Sequence, residues 1–219
     1  RPDEVMRALD DLVQSGKILY AGVCNTPAWR IAEMQTLADL RGWSPFVALQ
    51  IEYSLVERTV EHELMPMAAA MGLGVLPWSP LGGGVLTGKY NNTDVQDSRD
   101  AGASPSRKGV IATLGHLNAR SIEIAQEIAV IAVEARSTPS QIALAWTLAN
   151  PTVVSPIMGA RTLVQAKENL GALDVMLSPE QLTRLNQVSE PEPIFPARFV
   201  ERPLVQQLIF GGAAVERRP

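Results

Sequence analysis

Apolar and polar positions alternate between two rhythms along this chain. Val5, Met6, Leu9, Leu12 and Val13 recur at helical spacing, and Pro2, Asp3 and Glu4 suit a first turn, which predicts a helix over 2–14 stopped by Gly16. Lys17–Val23 is a short apolar run and reads as a strand. Thr26 and Pro27 open a second helix carrying Ile31, Met34, Leu37, Ala38 and Leu40, closed by Gly42. Phe46–Ile51 reads as a second strand, Thr59–Met71 as a third helix capped by Gly72, and Leu73–Leu76 as a third strand. Residues 90–117 are polar and read as a long irregular loop. Beyond it come helices over 118–135 and 138–148, a fourth strand over 152–155, and helices over 162–170 and 178–188. A proline-rich tail, 190–219, is expected to wrap the surface of a single domain spanning 1–219.

Short apolar strands separated by amphipathic helices predict a parallel sheet with helices outside. An open doubly wound sheet and a (β/α) barrel both satisfy that pattern. Two features favour the barrel. Unusual polar residues cluster after strand ends, at Cys24-Asn25, Gln50-Glu52-Tyr53, Trp78-Ser79 and Met158-Gly159. No Gly-x-Gly-x-x-Gly turn joins a strand to a helix. Four parallel strands with outer helices amount to about half of an eight-stranded barrel, so the expected fold is the second half of a (β/α)8 barrel of the TIM type.

Composition narrows the function classes. The chain has 219 residues, 46% of them hydrophobic and 19% charged, with a net charge of −4. That balance gives no support for nucleic acid or an anionic membrane as a partner. No apolar stretch is long enough for a membrane span. The single cysteine, Cys24, rules out an internal disulfide and fits a reducing compartment, so the expected location is cytoplasmic. The opening Arg-Pro-Asp-Glu has no start methionine and reads as the middle of a longer sequence.

The segment 74–90, Gly-Val-Leu-Pro-Trp-Ser-Pro-Leu-Gly-Gly-Gly-Val-Leu-Thr-Gly-Lys-Tyr, carries the most chemistry. A strand ends in a proline and an aromatic ring, Trp78. Glycines follow, and then a cation, Lys89. These parts suit a ligand with a planar heterocycle at one end and phosphates at the other. The same segment also suits a glycine-rich surface turn with Trp78 packed in a core. Asn25 can pair with another amide, or act as a turn asparagine bonding its own backbone. Gln50 lies in an apolar run, where its amide needs a partner, whether ligand or protein. Gly159-Ala160-Arg161-Thr162 opens a helix, and Arg161 can grip a phosphate. Gln165, Glu168 and Asn169 share one face of that helix, either solvated or meeting a base. Arg99 and Arg107 can close over a pyrophosphate or remain solvated. His62 and His116 have no metal-ligand spacing, and neither is given a role.

These residues, taken in order, resemble the carboxyl-terminal part of the aldo-keto reductases. The matching pieces are Ala8–Val13 with Gly16-Lys17, Gly22-Val23-Cys24-Asn25, Gln50–Leu55, Pro77–Leu81 through Gly88-Lys89-Tyr90, Gln141–Trp146, and Gly159–Thr162 with Glu168-Asn169-Leu170. They run from about residue 2 to residue 188, nearest the branch that includes bacterial reductases and potassium-channel β subunits.

The resemblance implies a (β/α)8 barrel binding NADP(H), and a fragment of an enzyme that reduces aldehydes or ketones. It implies that Asn25 and Gln50 hold the nicotinamide carboxamide and that Trp78 stacks on the ring. Ser79, Pro80, Leu81 and Gly83 would line the pyrophosphate path, with Lys89 and Arg99 on the phosphates. Gly159 and Arg161 would meet the 2′-phosphate, and Gln165, Glu168 and Asn169 the adenine end. Position 24 is usually serine in that family, and here it is Cys24, a weaker hydrogen-bonding group. The family's catalytic tyrosine, lysine, aspartate and histidine belong to the first half of the barrel, before Arg1. The 219 residues are therefore expected to be inactive alone. The alternative is a non-catalytic NADP(H)-binding regulatory module like the channel β subunits. Exposed strand edges would allow self-association or pairing with a first-half chain.

Overall fold

The computed structural model describes residues 1–100, 107–211 and 213. It is an α/β fold built on a parallel sheet of three strands, β1 (Ala21–Cys24), β2 (Phe46–Glu52) and β3 (Gly74–Trp78), in that order. Helices α1 (Pro2–Gln14), α2 (Ala28–Arg41) and α3 (Leu64–Ala70) alternate with the strands. After β3 come α4 (Asn92–Asp100), α5 (Arg107–Thr113), α6 (Ala119–Glu134), α7 (Pro139–Leu148), α8 (Leu163–Leu170) and α9 (Pro179–Val188). Two short helices, α10 (Ala197–Val200) and α11 (Pro203–Phe210), occupy the tail.

The helix boundaries follow capping chemistry. Asn118 accepts from the Ser121 amide at the start of α6, and capping boxes Thr138/Gln141 and Ser178/Gln181 open α7 and α9. The α1 end explains why β1 is shorter than the apolar run suggests. Gly16 turns into the left-handed region, and the amides of Lys17 and Ile18 both donate back to the Leu12 carbonyl. Those residues finish the helix, and the strand begins only at Ala21.

The strand period sorts the sheet into two faces. Leu49, Ile51, Val75 and Pro77 point to one face and are buried, packed in the core with Ile124, Ile128 and Ile131 of α6 and Ile142 and Trp146 of α7. The other face carries Gly22, Cys24, Ala48, Gln50, Glu52, Leu76 and Trp78 in register across the three strands. It is only partly covered.

The expected fourth strand does not form a ladder. Residues 152–157 touch β3 through two isolated parallel bridges, Val75 with Val153 and Trp78 with Ile157. Val75 donates to Thr152 and accepts from Val154, as a parallel pair should. The next rung would need N–H groups from Pro77 and Pro156, and neither proline has one. The segment instead bonds one residue late, from the Ile157 amide to the Pro77 carbonyl at 2.7 Å.

Two further expectations are corrected. Residues 59–71 are not one helix: a 3₁₀ turn at Thr59–Glu61 precedes α3. Residues 90–117 are not irregular throughout, because α4 and α5 lie within them. They are held by a small second core of Val85, Val95, Ile111, Leu117 and Ile122, in which apolar residues too sparse to show a period come together.

Candidate cofactor site

Cys24, Gln50, Glu52 and Trp78, singled out at the strand ends, share the partly covered face, whereas Tyr53 turns into the core. β1 ends in Cys24 and Asn25, and Asn25 adopts φ 46°. Its amide N–H donates to the Gln50 carbonyl at 3.1 Å, which carries the pairing of β1 and β2 one residue past the strand. Its side-chain oxygen accepts the indole N–H of Trp78 at 3.1 Å. The Cys24 thiol points to Gln50 Oε1 at 3.5 Å. Asn25 and Trp78, with Thr26, Pro27, Ile51, Glu52, Glu57, Val60 and Leu64, line a cleft of about 350 Å³ at this end of the sheet. Three amide or thiol groups and one flat ring are thus tied together by short contacts.

The glycine loop follows directly. Ser79 takes φ 57°, and its hydroxyl accepts from the Gly83 amide at 3.3 Å. Pro80 is buried, and the Leu81 carbonyl accepts from the amides of Gly84 and Leu86. Gly83 and Gly84 have φ of 65° and 101° inside a 3₁₀ turn over 82–87. The reversal is closed by the loop's own hydrogen bonds, since the Gly83 and Gly84 amides both donate within it. Lys89 returns to the same loop, with Nζ 2.7 Å from where a Cβ on Gly84 would stand. Its ammonium also sits 4.9 Å from the Tyr90 ring centroid. Arg99 falls within α4, and its side chain lies outside the described residues, as does that of Arg107.

The Ile157 bridge places residues 158–162 next in line after Trp78. Gly159 and Arg161 are exposed, and no atom comes within 4 Å of a Cβ built on Gly159. Thr162 caps α8 by accepting from the Gln165 amide, and Gln165 Oε1 accepts from the Arg161 amide at 2.9 Å. Glu168 is half-buried, and its carbonyl accepts from Gln141 Nε2. Asn169 is buried and lines a cavity of about 190 Å³ with Leu144, Val154, Pro156, Met158 and Leu173. A polar amide is thus set in a mostly apolar hollow.

Sequence reasoning missed one pair beside this site. His116, given no role, is buried, and its Nε2 lies 2.9 Å from Oε1 of Glu52. Burial pushes the Glu52 carboxyl above its ordinary value, opposed by His116 and assisted by Glu57. Glu52 is already among the polar residues that cluster after the strand ends, without a role, and the alternation of β2 puts it on the face of Gln50. Nothing local points to His116, which is far away in sequence.

Among the described residues no three His, Cys, Asp or Glu side chains group to hold a metal, and no helix is long and apolar enough to cross a membrane.

The sequence is similar to those of known proteins. The family model described as the aldo/keto reductase family matches residues 1–190. The chain is 34% identical over 186 residues to an uncharacterized oxidoreductase, YrpG, of Bacillus subtilis, covering 85% of this chain and 53% of that protein. It is 30% identical over 195 residues to a versiconal hemiacetal acetate reductase of Aspergillus parasiticus, covering 89% and 55%. It is 35% identical over 189 residues to a putative voltage-gated potassium channel subunit beta of Schizosaccharomyces pombe, covering 85% and 54%. The chain spans about half the length of these curated relatives. With the motifs in order and the family match running through nearly all of the helices and strands described, this chain belongs to the aldo/keto reductase family.

Proposed function

We propose that the chain is the cofactor-binding, carboxyl-terminal half of a (β/α)8 barrel oxidoreductase that reduces aldehydes or ketones with NADPH. The observation that carries this reading is the Trp78–Asn25 hydrogen bond beside the Cys24–Gln50 contact, at adjoining strand ends. The bond uses only the oxygen of Asn25, so its NH₂ can donate to a carboxamide oxygen. Gln50 can donate in the same way. Trp78 offers its ring for stacking. Lys89, lying across the Gly83–Gly84 turn, suits the phosphates, Arg161 the 2′-phosphate, and the hollow at Asn169 the adenine. The bound nicotinamide would supply hydride.

Tyr53 is not suited to supply the proton. Tyr53 is buried, its hydroxyl donates to Glu61 at 2.8 Å, and burial with that carboxylate pushes its pKa up. A phenol held in this way is a poor acid toward a forming alkoxide. The outer edge of β1 has no strand neighbour among the described residues and is where further strands would pair. A non-catalytic NADP(H)-binding module is the second reading, favoured by the similarity to a protein named as a channel β subunit.

Titration of the purified chain with NADPH, followed by addition of an aromatic aldehyde, tests both. Saturable binding without oxidation is expected. Oxidation would overturn the assignment of the proton donor to residues outside this chain. Absence of binding would overturn the cofactor site.

A further inference from the structure

Glu52 ends β2 on the same face as Gln50 and pairs in register with Trp78. His116 approaches it from the connection between α5 and α6, across 64 positions of sequence. Gly115, at φ 78°, makes the turn, and the His116 amide donates to the Ile111 carbonyl at 3.1 Å, closing the end of α5. Ile111 in turn packs on the glycine loop: its Cγ1 is 2.7 Å from where a Cβ on Gly83 would stand. A continuous set of contacts therefore runs from the end of β2, through His116 and Ile111, to the backbone of Gly83.

We infer that Glu52 and His116 form a clasp that positions the glycine loop by holding α5 against it. The packing under α4 and α5 is the small second core of five buried residues, separate from the main one. Non-directional packing of that size permits sliding, whereas a buried hydrogen bond to a carboxylate has one geometry. Opening the clasp leaves a half-buried carboxylate and a buried imidazole without partners, so the closed arrangement is strongly preferred. Glu52 also lines the cleft, but the clasp requires no ligand contact from it or from His116. They act on the loop through Ile111, and only the consequence for NADPH rests on the cofactor reading proposed above.

Amide hydrogen exchange followed by mass spectrometry tests the clasp without cofactor. His116→Ala should speed exchange at least tenfold in peptides covering 82–88 and 107–117, and leave peptides of α6 unchanged. His116→Gln, whose side-chain NH₂ can still donate to Glu52, should stay near wild type. Unchanged exchange in His116→Ala, or equal exchange in the two variants, overturns the clasp. Should His116→Ala lose the native fold, Glu52→Ala, which removes the acceptor, serves instead: faster exchange confined to the same peptides supports the clasp, and wild-type exchange overturns it. NADPH titration separates the two proposals. If exchange responds as expected but wild type binds no NADPH, the cofactor reading fails and the clasp stands. If wild type binds NADPH and His116→Ala matches it in both affinity and exchange, the clasp fails and the cofactor reading stands.

Discussion

The indole N–H of Trp78 donates to the side-chain carbonyl of Asn25, joining the ends of β3 and β1 over β2. The bond depends on backbone that few residues accept. Asn25 sits at φ 46°, where asparagine is tolerated and β-carbons generally clash. Asn25→Ala should therefore cost about 1 kcal/mol through the backbone and the lost bond together. Asn25→Gly relieves the backbone but not the bond. Both variants should bind NADPH about tenfold more weakly, as expected for one lost hydrogen bond, while Asn25→Ala melts earlier than Asn25→Gly. Wild-type affinity in both would remove Asn25 from the cofactor site.

Gly83 is required for space as well as for its turn. Its φ is +65°, and an added Cβ would lie 2.7 Å from Ile111. Gly83→Ala should destabilise the chain by about 1–2 kcal/mol, read as a lower urea midpoint. Gly159→Ala is the matched control, since nothing lies within 4 Å of its Cβ position. Equal midpoints for the two would mean that α5 does not press on the loop.

What the sequence shows and what it hides divide along physical lines. Helices α1, α7 and α9 are legible because their caps and apolar periods are local, and α1 ends at Gln14, where the pattern places it. The face carrying Cys24, Gln50 and Trp78 is legible from strand alternation. The interruption at residues 152–157 is not, because it arises when Pro156 comes opposite Pro77, a matter of register between distant segments. Helices α4 and α5 hide for a related reason: Val95, Ile111 and Leu117 make a core only once folded together. The clasp of Glu52 and His116 is invisible on the same ground.

Asp10 gives the chain an acid-sensitive tie. Its carboxylate accepts from both the amide and the hydroxyl of Ser44 at 2.8 Å, joining α1 to the connection that enters β2. The Ser44 amide, then its hydroxyl, hold the carboxyl below its ordinary value of 3.8. A lowered pKa stabilises the fold above the unfolded value and loses that contribution as pH falls through the folded one. Asp10→Asn should therefore unfold earlier than wild type at pH 7, and the gap should close as the pH is taken below 3.8. A gap that stays constant in urea titrations across that range would show that the charge on Asp10 does not matter.

Arg58 and Glu61 form a two-pronged pair, with both contacts at 2.8 Å and Arg58 only 11% exposed. Arg58 also donates to the Asn186 carbonyl and the Ser189 hydroxyl, and lies over the Trp146 ring. It thereby ties the turn after β2 to α9. Arg58→Met leaves Glu61 half-buried and uncompensated, with an expected cost of about 3 kcal/mol. The double variant Arg58→Met with Glu61→Leu removes both charges and should recover part of that loss. Urea denaturation of the two variants decides the matter. A double variant less stable than the single would mean that Glu61 contributes through Tyr53 more than through Arg58.

Arg161 separates the two forms of the cofactor. It is exposed beside the capped start of α8, and its backbone amide is already bound to Gln165. What remains for recognition is the guanidinium, which suits a phosphate and has no use for a ribose hydroxyl in its place. Arg161→Ala should therefore raise the dissociation constant for NADPH by about tenfold to a hundredfold, the range of a charge-assisted pair. NADH should bind the variant and the wild type alike. The two titrations also distinguish a local effect from a general one. Parallel losses for both cofactors would point to damage to α8, and an unchanged NADPH constant would place the 2′-phosphate on another cation.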